Sequence, residues 1–209
     1  MPHLKLTYFD IHGGRAEPAR LAMYIGRVAF EDDRISFQEF GANRSSYPFE
    51  RVPRLEIDGV PVSQCNSINR YVAKLAGLYP SDPLQAAFCD EAMDAVEDIV
   101  SQVGVTMRIQ DEAEKRAARA ALADGAIATY LRQLQTLLES RGGEYFSDGR
   151  LTVADLKVMV CVRYLRSGII DHVPRDLPDR LAPRLVEHLE RIENHPKVRE
   201  YYGDERQPG

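Results

Sequence analysis

The sequence predicts a small α/β unit followed by an all-helical unit. Two observations support this division. Strand and helix patterns alternate only within the first 80 residues, and every later pattern is helical. The segment 79–83, Tyr-Pro-Ser-Asp-Pro, is polar and contains prolines, as segments between domains often do. We therefore predict an α/β domain over residues 1–80 and a helical domain over residues 84–209.

The first half of the predicted α/β unit has the order strand, helix, strand. Residues 5–9, Lys-Leu-Thr-Tyr-Phe, have a strand pattern, and a Gly-Gly turn leads from them to a helix over 15–26. A second strand is predicted within 28–37, and its candidate core residues are Val28, Phe30 and Ile35. The segment 38–47 is either a loop or a short helix.

A hairpin and a helix complete this unit. Residues 54–58 alternate apolar and polar side chains, Asp58-Gly59 favours a tight turn, and residues 60–63 return as the partner strand. Because Pro61 has no backbone N–H, we expect it in an edge strand. The following helix, over 66–76, carries one predicted apolar stripe, formed by Ile68, Tyr71, Val72, Leu75 and Ala76.

The second unit is predicted to consist of helices over 84–108, 111–140, 152–166, 181–193 and 196–202. The third of these is nearly apolar on all sides, which is typical of a helix at the centre of a domain. Thr152-Val-Ala-Asp155 at its start matches a capping box, in which hydroxyl and carboxylate oxygens satisfy end amides. We interpret Thr152 and Asp155 as a structural cap with no catalytic role.

Composition and charge exclude several classes of protein. The chain is 44% hydrophobic and 28% charged, with a formal net charge of −5 that does not favour nucleic-acid binding. No apolar run approaches the ~20 residues that span a bilayer, and the N-terminus lacks a signal-peptide core. Three cysteines without C-x-x-C spacing suggest no disulfide framework or zinc site. We expect a reduced, cytoplasmic protein that binds neither nucleic acid nor a membrane.

Five short motifs together resemble the cytosolic glutathione S-transferases, and among them the sigma class, which includes glutathione-dependent prostaglandin D synthases. They occur in the order of that family: Lys-Leu-Thr-Tyr-Phe at 5–9, Gly-Arg-Ala-Glu at 14–17, Pro-Phe-Glu-Arg-Val-Pro at 48–53 with Leu-Glu-Ile-Asp-Gly at 55–59, Gln-Cys-Asn-Ser-Ile-Asn-Arg-Tyr at 64–71, and Leu-Thr-Val-Ala-Asp at 151–155. The resemblance implies the fold of that family, with a thioredoxin-like glutathione-binding domain followed by an all-helical domain.

The resemblance also implies a catalytic role for Tyr8. A thiol with a pKa near ~8.5 is mostly protonated at neutral pH, and a phenol O–H directed at the sulfur stabilises the nucleophilic thiolate. Arg15 would support the same charge. The implied reaction is a detoxifying conjugation of glutathione to a small hydrophobic electrophile, in a site between the domains. Two alternatives stay open: a glutathione-dependent isomerase or peroxidase, and a non-catalytic structural or ligand-binding protein.

Further positions carry over from the family by their place in the motifs. Those implied to bind glutathione are Phe40, Arg44, Arg51, Val52, Pro53, Gln64, Cys65 and Asp98. Those implied to line the electrophile pocket are Ile11, Phe37, Met107 and Cys161. The Val52–Pro53 bond would be cis. Two positions depart from the sigma class, since Phe40 stands where a tryptophan is usual and Cys65 stands where a serine is expected.

The long helix that follows residue 83 carries an acidic face, formed by Asp90, Asp94, Glu97 and Asp98. From the residues alone it is a solvated face. The resemblance adds two other interpretations. The face would lie at a homodimer interface, from which Asp98 reaches the partner subunit's glutathione, or it would bind a divalent cation through its oxygens, as in related prostaglandin synthases. We expect a homodimer that uses glutathione as co-substrate and requires no metal.

Overall fold

The computed structural model describes residues 2–204, which divide into two compact units. One unit comprises the chain through Tyr79 together with the segment that starts at Lys197, and the other runs from Pro80 to Pro196. The first is a mixed α/β unit and the second is helical, so the predicted fold class is confirmed.

The first unit is built on a four-stranded sheet. Its strands are β1 (Leu4–Phe9), β2 (Glu31–Ile35), β3 (Arg54–Ile57) and β4 (Val60–Ser63), in the order β2-β1-β3-β4. β1 runs parallel to β2 and antiparallel to β3, and β3 and β4 form the predicted hairpin. Pro61 lies in the edge strand β4, as predicted, where its missing N–H leaves no partner unsatisfied on the open side.

Helices lie between and after the strands of this sheet. α1 (Glu17–Ile25) connects the parallel strands β1 and β2, and α3 (Cys65–Leu75) follows β4. The segment that the sequence left as a loop or short helix forms α2 (Phe37–Asn43). Ser36 caps this helix, because its hydroxyl accepts the Glu39 amide at 3.1 Å while the Glu39 carboxylate accepts the Ser36 amide at 2.7 Å. Of the predicted core residues in this region, Val28 is buried, whereas Phe30 and Ile35 are half-buried.

The buried face of α3 differs from the prediction. Ile68 and Val72 are buried as expected, but Leu75 is 40% exposed and Asn69 takes a buried position instead. α3 packs against α1. The two helices approach so closely that a Cβ on Gly26 would lie 2.4 Å from the Ala76 Cβ. This contact admits only small groups where the two helices end.

The second unit consists of α4 (Pro83–Thr106), α5 (Glu112–Leu122), α6 (Ala128–Ser140), α7 (Val153–Ser167), α8 (Leu177–Leu181) and α9 (Pro183–Glu193). A π-helical turn, Ala123–Ile127, joins α5 to α6 within the single helix that the sequence predicts there. The five-residue α8 was not predicted, because so short a segment has no readable period. α7 is buried along almost its whole length, as predicted, and packs against α4 and α9.

The last helix, α10 (Pro196–Asp204), packs with the first unit. Tyr201 of α10 lies edge-on to Tyr24 of α1, with ring centroids 5.2 Å apart. Residues 205–209, the end of the predicted helical domain, lie outside the described part of the chain. Within residues 2–204, none of the helices has the length and apolar character needed to cross a lipid bilayer.

Asp155 at the start of α7 is fully buried, and both of its carboxylate oxygens are hydrogen-bonded. Its carboxylate accepts the Thr152 amide and hydroxyl, each at 2.8 Å, and the Phe146 amide at 2.9 Å. His188 of α9 approaches the same carboxylate at 3.0 Å through Nε2. The carboxylate therefore joins the start of α7, the loop that precedes it and α9 in one place.

Replacing Asp155 by alanine is expected to destabilise the protein by about 3 kcal/mol, because buried amides and an imidazole lose a charged acceptor that water cannot replace. Thermal or denaturant unfolding measures this loss. The control is Asp176→Ala, since Asp176 is exposed and pairs with Arg180 at the surface. That change should cost no more than about 0.5 kcal/mol. Equal stability of the two variants would contradict the structural role of Asp155.

Candidate active site

The hydroxyl of Tyr8 is held inside the first unit. Tyr8 lies near the end of β1 with only 6% of its surface exposed, and its Oη accepts a hydrogen bond from the Arg15 amide at 3.1 Å. Burial raises the pKa of Tyr8, while the Arg15 amide and the charges of Arg15 and Arg20 oppose that rise. The phenol therefore keeps its proton at neutral pH. Because the oxygen accepts from the amide, its own O–H can donate to a ligand.

The turn between Tyr8 and Arg15 depends on glycine. Gly13 and Gly14 have φ angles of +100° and +69°, in the left-handed region that other residues rarely adopt. Gly14 has a second constraint, because a Cβ at this position would lie 2.7 Å from the Tyr8 hydroxyl oxygen. A Cβ on Gly13 would meet nothing within 4 Å. The backbone at Gly14 thus forms one wall against the phenol.

The sheet register aligns three segments that are distant in sequence. Thr7 of β1 pairs with Arg54 of β3 in antiparallel fashion, so Tyr8 lies level with Pro53. Arg54 in turn pairs with Ser63 of β4, so Gln64 lies level with Pro53 on the other side. The sheet therefore brings Tyr8, the Val52–Pro53 bond and the start of α3 into one row.

Two of the three members of this row, Pro53 and Gln64, have unusual backbone geometry. The Val52–Pro53 peptide bond is cis, as the family resemblance implies. Gln64 has a φ of +73° although it is not glycine, and it is exposed directly before the first turn of α3. Cys65, the first residue of α3, is buried, and its Sγ lies 3.7 Å from Asn66 Oδ1. The amides at this helix start are a suitable site for an anion.

The other residues implied to bind glutathione are near the surface. Phe40 is half-buried and packs edge-on to Phe9, with ring centroids 5.3 Å apart. Arg44 is exposed and forms an ion pair with Glu50 at 3.4 Å. Arg51 is exposed. All three residues lie between the start of α2 and the cis bond that precedes β3.

Of the residues implied to line an electrophile pocket, two lie in each unit. Ile11 and Phe37 are exposed in the first unit, and Phe37 stacks on Phe9 at a centroid distance of 4.3 Å. In the second unit Met107 is exposed and its Sδ accepts a hydrogen bond from Arg119 at 3.1 Å. Cys161 is buried within α7.

The cysteines of the second unit, Cys89 and Cys161, are poor nucleophiles. Burial raises the pKa of Cys89 to about 11 and that of Cys161 to about 12. Both thiols stay protonated at neutral pH, and a protonated thiol is a weak nucleophile. A reaction that needs a sulfur nucleophile therefore has to obtain it from a bound thiol or from Cys65.

The acidic face of α4 has partners within its own unit. Glu97 forms an ion pair with Lys157 of α7 at 3.1 Å, and Asp98 accepts a hydrogen bond from the Tyr130 hydroxyl at 2.9 Å. Asp98 is exposed. Among residues 2–204 there is no group of three or more His, Cys, Asp or Glu side chains arranged to hold a metal ion.

One residue close to Tyr8, Arg20, is not among the predicted site residues. The Arg20 side chain is fully buried, and its Cζ lies 5.8 Å from the centroid of the Tyr8 ring. A signal was present in the sequence. Arg20 follows Glu17 by three residues on a helix that is otherwise apolar from Ala19 to Met23, and a charge in such a position is usually paired and buried.

Comparison with known proteins matches both units to one family. The family model for the glutathione S-transferase N-terminal domain matches residues 4–74, and the model for the C-terminal domain matches residues 97–205. Glutathione S-transferase 1 of Ascaris suum is 29% identical over 207 residues, which cover 98% of this chain and 97% of the relative. The hematopoietic prostaglandin D synthase of Gallus gallus is 32% identical over 198 residues, which cover 95% of this chain and 94% of the relative.

Solved structures agree with these matches. The prostaglandin synthase D of Nilaparvata lugens superposes with a TM-score of 0.85 at 28% identity and full coverage of both chains. The glutathione S-transferase of Ascaris lumbricoides gives a TM-score of 0.83 at 28% identity, covering all of this chain and 98% of the other.

Gly14→Ala is expected to displace the Tyr8 ring, because the added Cβ has no room beside the phenol oxygen. The raised pKa of Tyr8 should then fall back toward the ordinary value of ~10. Titration by ultraviolet absorbance measures it, with each variant also made in a Tyr8→Phe background to isolate this tyrosine among the ten. Gly13→Ala is the matched control, since it adds similar backbone strain without the contact. An unchanged Tyr8 pKa in Gly14→Ala would show that the turn does not confine the ring.

Proposed function

The chain belongs to the glutathione S-transferase family, and from that membership we propose how its own residues bind glutathione and activate the thiol. The observation that carries the proposal is the buried Tyr8 hydroxyl, which accepts the Arg15 amide and keeps its own proton. We assign glutathione binding to the domain of residues 1–80. The helical domain, residues 84–209, supplies the remaining substrate contacts.

In the proposed mechanism Tyr8 donates its O–H to the sulfur of bound glutathione and stabilises the thiolate. The thiol proton passes to water, and the positive charge of Arg15 favours the same anion. The sulfur lone pair then forms a bond to the electrophilic carbon, and the leaving group departs with the electrons of the broken bond. Tyr8 serves as a hydrogen-bond donor throughout and is not consumed.

The row formed by Tyr8, Pro53 and Gln64 supports an extended binding mode for the tripeptide. The backbone of Val52 is proposed to pair with the cysteinyl unit, next to the cis bond. Gln64 and Cys65 at the start of α3 are proposed to hold the γ-glutamyl carboxylate, where helix amides favour an anion.

At the other end of the tripeptide, Arg44 and Arg51 are proposed to hold the glycyl carboxylate, with Phe40 packed beside it in place of the usual tryptophan. The Glu50 carboxylate, which pairs with Arg44, competes with the glycyl carboxylate for this guanidinium. Because Phe40 carries no N–H donor, recognition of this carboxylate depends on the two arginines and backbone amides.

The electrophile is proposed to be small and hydrophobic. Ile11, Phe37 and Met107 present exposed apolar side chains that suit such a molecule. Cys161 is proposed to contribute apolar volume only, since its thiol has a pKa of about 12. A divalent cation has no part in the proposed mechanism.

A glutathione-dependent isomerase of the prostaglandin D synthase type is the second candidate. It is favoured by the relatives of that name in Gallus gallus and Nilaparvata lugens. The same thiolate would serve it, so the difference lies in the electrophile. Because these relatives are prostaglandin D synthases, we place the chain in the sigma class. We also propose that it acts in the cytoplasm.

We also propose a homodimer in which Asp98 reaches the partner subunit's glutathione. Large apolar side chains stay exposed in the first unit, among them Phe49 at 72% and Val60 at 63%, and a dimer interface that covered them would remove apolar surface from water. Sedimentation equilibrium of the full chain is expected to give twice the monomer mass of 23.6 kDa. Phe49→Ser should weaken the association, whereas a monomer at micromolar concentration would contradict the proposal.

Tyr8→Phe is expected to keep glutathione affinity within a few-fold but lower turnover at neutral pH by at least about tenfold. The substitution removes only the donor to the thiolate and leaves the groups that bind the tripeptide. Retention on immobilised glutathione and conjugation to a general aryl halide measure the two effects. A wild-type protein that shows neither would favour a non-catalytic role, and turnover only with a prostaglandin endoperoxide would favour the isomerase.

Cys65→Ser tests the competing nucleophile. If Tyr8 activates glutathione, this variant keeps its turnover and binds glutathione equally or up to about tenfold more tightly, because serine is a stronger donor beside the carboxylate. If Cys65 were the nucleophile, Cys65→Ser would be inactive and Tyr8→Phe nearly unchanged. Both variants are compared with the same electrophile.

A further inference from the structure

Arg20 of α1 is a buried arginine that the mechanism above does not use. Its Nη1 donates to the Ile11 carbonyl at 3.1 Å, its Nη2 to the Phe9 carbonyl at 3.5 Å, and its Nε to Asp32 Oδ1 at 3.0 Å. The side chain is 1% exposed. One guanidinium therefore holds residues 9–11, the first part of the turn that follows Tyr8.

A second set of ion pairs holds the same turn on its more exposed side. Asp32 accepts Arg20 on one oxygen and the Nε of Arg34 on the other, at 2.8 Å. Arg34 then reaches Asp10 Oδ1 with Nη1 at 3.3 Å. Since Arg34 pairs with Tyr8 in the register of β1 and β2, this chain of charges runs beside the tyrosine and returns to the turn.

The turn needs such anchors because of its composition. Gly13 and Gly14 have wide conformational freedom, so the backbone by itself does not select one path. The path in this structure brings the Arg15 amide to 3.1 Å from the Tyr8 hydroxyl. Without the two carbonyls held by Arg20, the amide would sample positions from which it cannot donate to the phenol.

Arg20 also acts on the ring directly. Its Cζ lies 5.8 Å from the Tyr8 centroid, within the range of a cation–π contact. The ionisable groups that face the guanidinium are Tyr8 of β1, Asp32 of β2 and Glu17 of α1, whose Oε2 is 3.6 Å from Nη1. The flanking carboxylates of Asp32 and Glu17 limit the orientations open to the guanidinium plane.

We propose that Arg20 is a positioning residue for glutathione activation, because its guanidinium holds the turn in the conformation that joins the Arg15 amide to the Tyr8 hydroxyl. The inference rests on the proposed function of Tyr8. Arg20 acts through that tyrosine and not on glutathione or the electrophile. Its loss should therefore change the ionisation of the bound thiol more than the affinity for the tripeptide.

Arg20→Lys tests this role. Lysine keeps the charge but has no planar fork, so it cannot hold two carbonyls and a carboxylate together. We expect glutathione affinity within about threefold of wild type, kcat lower by about tenfold, and an apparent pKa of the bound thiol higher by about one unit. The ultraviolet absorbance of the bound thiolate reports that pKa. The matched control, Arg27→Lys, changes an exposed arginine just beyond the same helix and should keep wild-type values.

A folded Arg20→Lys protein with wild-type kcat and thiol pKa overturns the proposal. If this variant does not fold, Asp32→Asn is judged by the same two measurements, because it keeps the arginine and removes the charge that orients it. If neither variant folds, the cluster serves stability alone and the proposal is overturned. A wild-type protein that forms no thiolate refutes the function of Tyr8 itself. Loss of thiolate in Tyr8→Phe but not in Arg20→Lys refutes only the role of Arg20.

Discussion

The hydrogen bond from the Arg15 amide to the Tyr8 hydroxyl joins the end of a central strand to the start of the first helix. The chain between them must reverse next to the phenol ring, and it does so with two left-handed glycines. Gly14 passes so close to the ring that no Cβ fits. The position of the phenol therefore depends on the path of this turn, and so does the direction in which its O–H can donate.

Both units use buried charge to select one arrangement of their elements. In the second unit Asp155 is surrounded by Thr152, Phe146 and His188. In the first unit Arg20 is surrounded by carbonyls and carboxylates. A buried charge costs several kcal/mol unless its partners are all in place, so alternative packings that displace one partner are disfavoured.

The sequence by itself determined the features whose signals are local. The two-unit division, the hairpin at Asp58-Gly59, the edge position of Pro61 and the buried helix after Thr152 all follow from patterns a few residues long. Turn residues, missing N–H groups and helical periods act on neighbouring residues, so they can be read without knowing what packs against them. The family motifs added the proposal that Tyr8 is the catalytic residue.

The tertiary structure alone decided how these parts meet. The alignment of Tyr8 with Pro53 and Gln64 depends on the pairing of strands far apart in sequence, and no local pattern encodes that register. The exposure of Leu75 and the burial of Asn69 depend on which face of α3 packs against the rest of the unit. The role of Arg20 as an anchor became visible only when the fold brought two carbonyls and two carboxylates around it. Contacts of this kind depend on distance in space, which sequence spacing does not measure.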